Sequence, residues 1–121
     1  MPDPTVELFE RLGRRAHDPM LEYVRGTVRF DLATDAEILY WLVTIDDGDL
    51  RVTREEADAD CVVHSTKARF DRIAIGSESA MAMLLRAEVV AHGDIQLLVL
   101  LERLLPGPPG AKGPRLAKGA R

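Results

Sequence analysis

The chain has 121 residues, 46% of them hydrophobic and 30% charged, the balance of an ordinary globular protein with room for one domain. A single cysteine, Cys61, excludes an internal disulfide and offers no metal-ligand spacing, and the longest apolar run, Leu97 to Leu101, falls far short of the ~20 residues that span a bilayer. The formal charge is −4, but Lys112, Arg115, Lys118 and Arg121 lie unopposed after Pro106, so residues 1–106 carry −8, a poor surface for nucleic acid.

Asp3 followed by Pro4 is a helix start, N-cap then first position. Leu8, Phe9 and Leu12 fall on one face and Glu7, Glu10, Arg11 and Arg14 on the other, so the first helix is amphipathic. His17-Asp18-Pro19 interrupts it. From Gly26 the period changes to two, with Val28, Phe30 and Leu32 alternating with Arg29 and Asp31. Trp41, Val43 and Ile45 make one face of a second strand, Asp47-Gly48 signals a hairpin turn, and Leu50 and Val52 return. Residues 55–58 form an acidic connector, and Cys61 and Val63 mark a fourth strand. Helical spacing then returns. Ser65 or Thr66 caps a helix carrying Phe70, Ile73 and Ala74 inward, Gly76 ends it, and Ser77 caps another containing Met81, Leu84 and Leu85.

The closing stretch, Ala87 to Leu105, constrains the rest. Val89 and Ala91 alternate with Glu88, Val90 and His92 as a short strand, and Gly93-Asp94 breaks it. Asp94 then caps a helix running to Leu105, before Pro106-Gly107. Around that helix Ile95, Leu97, Leu98, Val99, Leu100, Leu101, Leu104 and Leu105 occupy nearly the whole circumference. A helix apolar on all sides is normally surrounded, so its neighbour is another subunit or a lipid as well as the sheet. The mixed order of helices and strands predicts an α+β fold with a five-stranded mixed sheet. The alternation places Val28, Phe30, Trp41, Val43, Leu50, Val52, Cys61, Val63, Val89 and Ala91 inward, with Arg29, Thr44, Arg51 and Glu88 outward.

The ordered set of these segments resembles the sterol carrier protein type 2 (SCP2-like) domain family. Thr27-Val28-Arg29-Phe30-Asp31 resembles the family's first strand, and Trp41 through Val52 its tryptophan-led hairpin. Asp60-Cys61-Val62-Val63 matches an Asp before alternating apolar residues, and Ala87 to Asp94 the closing strand before the last helix. In that strand Gly93 and Asp94 are kept, while Ala87 replaces the family's first glycine. The similarity covers about residues 5 to 106. It implies helices packed on one face of the sheet and an apolar tunnel between them, lined by Phe30, Trp41, Phe70, Ile73, Met81, Leu84, Leu85, Leu98, Leu101 and Leu105, with Glu102 near the mouth. Phe70, Ile73, Met81 and Leu84 read equally as core or tunnel wall, Met83 reads as core, and Glu102 as either a snorkelling surface group or a partner for a ligand headgroup.

Little in the chain reads as catalytic. His92 stands on the outward register beside the capping Asp94, Cys61 reads as a small buried hydrophobe, and Asp46, Asp47 and Asp49 lack the spacing of a calcium loop. The expectation is a non-catalytic domain, residues 1–106, that binds and carries a hydrophobic molecule without a cofactor: a fatty acid, acyl-CoA, sterol-like or isoprenoid lipid. Residues 107–121, rich in Gly, Pro and cations, read as a disordered basic tail or a tether in transient contact with anionic membrane. Two alternatives stand beside it: an accessory or dimerisation module for an enzyme of lipid or quinone metabolism, and a small enzyme using Glu102 with Gln96 or His64. Asp3, Glu7 and Glu10 stand where a signal peptide would be basic and then apolar, so a soluble cytoplasmic protein is expected. Thirteen arginines against three lysines suggest a bacterial source.

Overall fold

The structure, a computed structural model, describes residues 3–15 and 17–106; the expectations for the tail lie outside them. Asp3 and Pro4 begin helix α1 (Pro4–Arg15) as the sequence reads. The Asp3 carboxylate accepts the backbone N–H groups of Thr5 at 3.0 Å and Val6 at 3.2 Å, satisfying donors that the helix leaves orphaned. Leu8, Phe9 and Leu12 are buried beneath α1, and a 3-10 turn at Pro19–Leu21, capped by Asp18, leads into the sheet.

The strands are β1 (Arg25–Ala33), β2 (Ile38–Asp46), β3 (Asp49–Thr53), β4 (Cys61–Thr66) and β5 (Val90–Gly93), ordered β3-β2-β1-β4-β5. The β1–β4 pair is parallel and the others antiparallel. Asp47 (φ 52°) and Gly48 (φ 90°) both take positive φ, which a two-residue hairpin of the right-handed twist requires. Phe30 stands opposite Trp41 on one side and Val63 on the other. The inward set comes out as predicted: Val28, Phe30, Trp41, Val43, Leu50, Cys61, Val63 and Val89 are buried, and Val52 and Ala91 pack against them. Arg51 is exposed. A slip of one residue would have buried it.

Helices α2 (Lys67–Ala74), α3 (Ala80–Leu85) and α4 (Ile95–Glu102) complete the inner layer. α1 packs on β3 and α2, whereas α4 packs on β1, β4 and α3, so the two longer apolar faces cover different halves of the sheet. The outer face is not left open. The connector from β3 to β4 crosses it, and Arg29 there forms a two-pronged pair with Asp31 (2.7 and 3.0 Å) while donating to the Ala57 carbonyl at 3.1 Å. Asp31 and Leu42, outward by alternation, are nonetheless buried.

Three local expectations need correction. Ser79, not Ser77, caps α3 by accepting from Ala82, because Ser77 is spent on α2: its N–H and hydroxyl both donate to the Arg72 carbonyl. α4 ends at Glu102, and residues 103–105 form a tighter turn in which Leu104 donates to Leu101 and Leu105 to Glu102. β5 begins at Val90 rather than near Ala87, because residues 86–89 close α3.

That closure carries strain. Both α2 and α3 end in a Schellman motif. In α2, Gly76 donates to Ile73 and Ser77 to Arg72; in α3, Ala87 donates to Leu84 and Glu88 to Met83. The left-handed residue is Gly76 (φ 82°) in the first and Ala87 (φ 61°) in the second. A Cβ in that conformation costs about 1–2 kcal/mol, offset in part by the greater unfolded-state freedom of glycine. Ala87→Gly is therefore expected to stabilise the protein by about 1 kcal/mol and raise Tm by about 4 °C in a thermal melt; an unchanged or lower Tm would show that Ala87 is not strained.

Candidate functional site

Seven of the sequence-predicted lining residues meet in one buried cluster. Phe30, Trp41, Phe70, Ile73, Leu98, Leu101 and Leu105 are each at most 5% exposed. They come from β1, β2, α2, α4 and the turn after α4. At their centre stands Phe9, which sequence reasoning placed only in the helix–core contact. Its ring stacks on Trp41 at 4.7 Å and on Phe70 at 5.6 Å, and tilts against Phe30 at 5.2 Å. These spacings are those of attractive aromatic pairs. Among the described residues, no tunnel is shown between sheet and helices.

Met81, Leu84 and Glu102 are half-buried. Leu85 is 82% exposed and does not face the cluster. The cap at Ser79 sets the phase of α3 so that Ala80 and Met83 point in, which turns Leu85, about 200° further round, to solvent. α4 is incompletely covered: Leu97, Leu98 and Leu101 are buried, while Val99 is 41% exposed and Ile95 and Leu100 are only partly covered.

An open groove of about 640 Å³ lies beside this cluster, between the end of α1 and the chain after α4. Leu8, Leu12, Leu104, Leu105 and Pro106 form its apolar part. Arg11, Arg14 and Arg15 line the rest. The apolar and basic faces of α1 were legible; that residues 104–106 descend beside them was not, since no local spacing encodes that contact.

The groups named for catalysis do not converge. His64 lies on the outer face, its Nδ1 3.6 Å from Asp31 and its ring 5.4 Å from that of His92, with the sheet between it and α4. Gln96 is exposed. Burial pushes the Cys61 thiol up, with the charge of Asp94 adding to it, so the sulfur stays protonated and a weak nucleophile. In the acidic hairpin, the Arg25 guanidinium holds Asp47 below the usual carboxylate range, and Asp49, at 2.8 Å, raises His17. Among the described residues no group of three or more His, Cys, Asp or Glu could hold a metal, and no helix is long and apolar enough to cross a membrane.

The sequence profile of the SCP-2 sterol transfer family matches residues 7–106. The chain belongs to that family. Solved SCP2 structures share its fold. A solution structure of palmitated SCP2L2 from Aedes aegypti has a TM-score of 0.68 at 23% identity, covering 82% of this chain and 92% of the other. Sterol Carrier Protein-2 from Aedes aegypti, in complex with palmitate, has a TM-score of 0.66 at 18% identity, covering 85% and 94%. UbiJ-SCP2, a ubiquinone synthesis protein, has a TM-score of 0.59 at 19% identity, covering 86% and 92%. No curated protein sequence matches the chain.

Proposed function

We propose that this SCP2 protein binds and carries a hydrophobic lipid, without catalysis of its own, in the space between sheet and helices. The ligand classes are fatty acid, acyl-CoA, sterol-like or isoprenoid. The observation that carries the reading is α4: its surface is apolar almost all round, yet the protein buries only Leu97, Leu98 and Leu101 fully. Each large side chain left partly wet forfeits part of about 1.5–3 kcal/mol, which an apolar ligand reaching Ile95 and Leu100 would recover. Two similar structures carry palmitate, which supports a single-chain ligand. In this reading entry requires α1 to move away from β2 and α2, since the aromatic cluster is closed around Phe9. In this reading the protein is cytoplasmic, and its basic tail makes transient contact with anionic membrane.

A second reading, an accessory or homodimerising module, is favoured by the exposed Val99 and Leu85 and by the likeness to UbiJ-SCP2. Native mass spectrometry with lipid extraction separates the two. The carrier reading expects a monomer bearing one extractable amphiphile. A lipid-free dimer supports the module, and folded, delipidated protein that binds no fatty acid, sterol or quinone overturns the carrier.

A further inference from the structure

The groove beside α1 has two chemistries on opposite sides. Its floor includes Leu8, Leu12 and Leu105, each at most 3% exposed and each a member of the core. Its wall is cationic, with Arg11, Arg14 and Arg15 and no acid among the lining residues. The helix dipole accounts for basic residues in the last turn of α1, and Arg15 is further engaged by Asp18 at 3.1 Å. Neither explanation covers Arg11, a turn earlier. Among the described residues, Arg11 and Arg14 make no ion pair or side-chain hydrogen bond. Two unpaired guanidiniums thus overhang an apolar floor.

The spacing specifies the headgroup. Positions 11, 14 and 15 stand three and four apart, on one side of the helix with Cβ atoms about 5–6 Å from one another. A carboxylate carries one charge and two oxygens, which a single guanidinium fork saturates. A phosphate monoester carries nearly two charges and three terminal oxygens, enough to engage forks from two successive turns. By charge, residues 107–121, with four cations and no acid, are no complement to the same wall. The groove's volume, about 640 Å³, is that of a small-molecule site.

We propose that this groove receives a single-chain amphiphile ending in a phosphate monoester, its phosphate held by Arg11 and Arg14 and its chain laid along Leu8, Leu12 and Leu105 toward Leu101. The assignment rests on the lipid-carrier reading and narrows it. It also sets the direction of loading, head outward at the end of α1 and chain inward between α1 and α4.

The test titrates the full-length chain with 1-oleoyl lysophosphatidate, oleate and monoolein, each below its critical micelle concentration, and with inorganic phosphate. Lysophosphatidate is expected to bind about tenfold or more tighter than monoolein, with oleate between them, and its advantage should shrink as salt rises. The double variant Arg11→Gln/Arg14→Gln, checked for folding by circular dichroism, should lose that advantage while binding monoolein as the wild type does. Equal affinity for the three lipids, or an equal loss for monoolein in the variant, overturns the headgroup assignment and leaves the carrier reading standing. Phosphate binding as tightly as lysophosphatidate would make this a free-anion site and also overturn it. Binding of none of the three lipids overturns both.

Discussion

Phe9→Ala is expected to cost about 3–5 kcal/mol and to lower Tm by on the order of 15 °C or more. Phe9 is fully buried and contacts three other rings, Phe30 on β1, Trp41 on β2 and Phe70 on α2. Because those rings belong to three separate elements, they cannot all move into the space the side chain leaves. The void persists and its walls lose their dispersion contacts. Against a typical total stability of about 5–15 kcal/mol, the loss is a large share. Trp41 is the single tryptophan and stacks on Phe9 with the planes 12° apart, so its fluorescence reports the repacking directly in a denaturant titration. Leu85→Ala, at a position 82% exposed, is the matched control and should move stability by no more than about 0.5 kcal/mol. Similar losses for the two variants would show that Phe9 does not organise the core.

The strands were legible because their signal is local. Val28, Phe30 and Leu32 alternate with charged neighbours, and the cost of burying Arg51 leaves one register. The Asp47-Gly48 turn and the caps at Asp3, Thr66 and Asp94 are equally local, each depending on a side chain within three residues of the donor it satisfies. What the sequence withheld depends on contacts between distant residues. Asp31 is buried beside Arg29, which reaches a connector more than twenty residues later. Ser77 loses the cap to Ser79 because the closing motif of α2 takes it first. Of the candidate site, the buried members were readable as apolar positions, but Phe9 as its centre and the arginine-lined groove arise only when α1 and residues 104–106 meet. Leu85 shows the converse. A helix of six residues has too few positions for periodicity to fix its phase, and moving the cap by two turned that side chain outward.

Leu101→Asp is expected to abolish binding of a fluorescent fatty acid and to destabilise the protein by several kcal/mol at pH 7. Leu101 is fully buried on α4 among apolar neighbours, and an unpaired carboxylate in a dry site either stays ionised at great cost or takes up a proton. Burial raises the folded-state pKa of such a group above its unfolded value of about 3.9. Below about pH 4 both states hold the proton, and only the cost of burying a neutral polar group remains. Above it the unfolded chain ionises while the folded one does not, so the deficit grows as pH rises toward the folded pKa. Leu101→Asn buries a similar polar volume without titrating, and its deficit relative to wild type should stay flat across the same range. The pair therefore separates loss of packing from burial of charge. Circular dichroism at the pH of the binding titration keeps the comparison to folded protein: a folded variant that still takes up the fatty acid at pH 7 would place the ligand away from α4, and a deficit independent of pH would show that Leu101 faces water in solution.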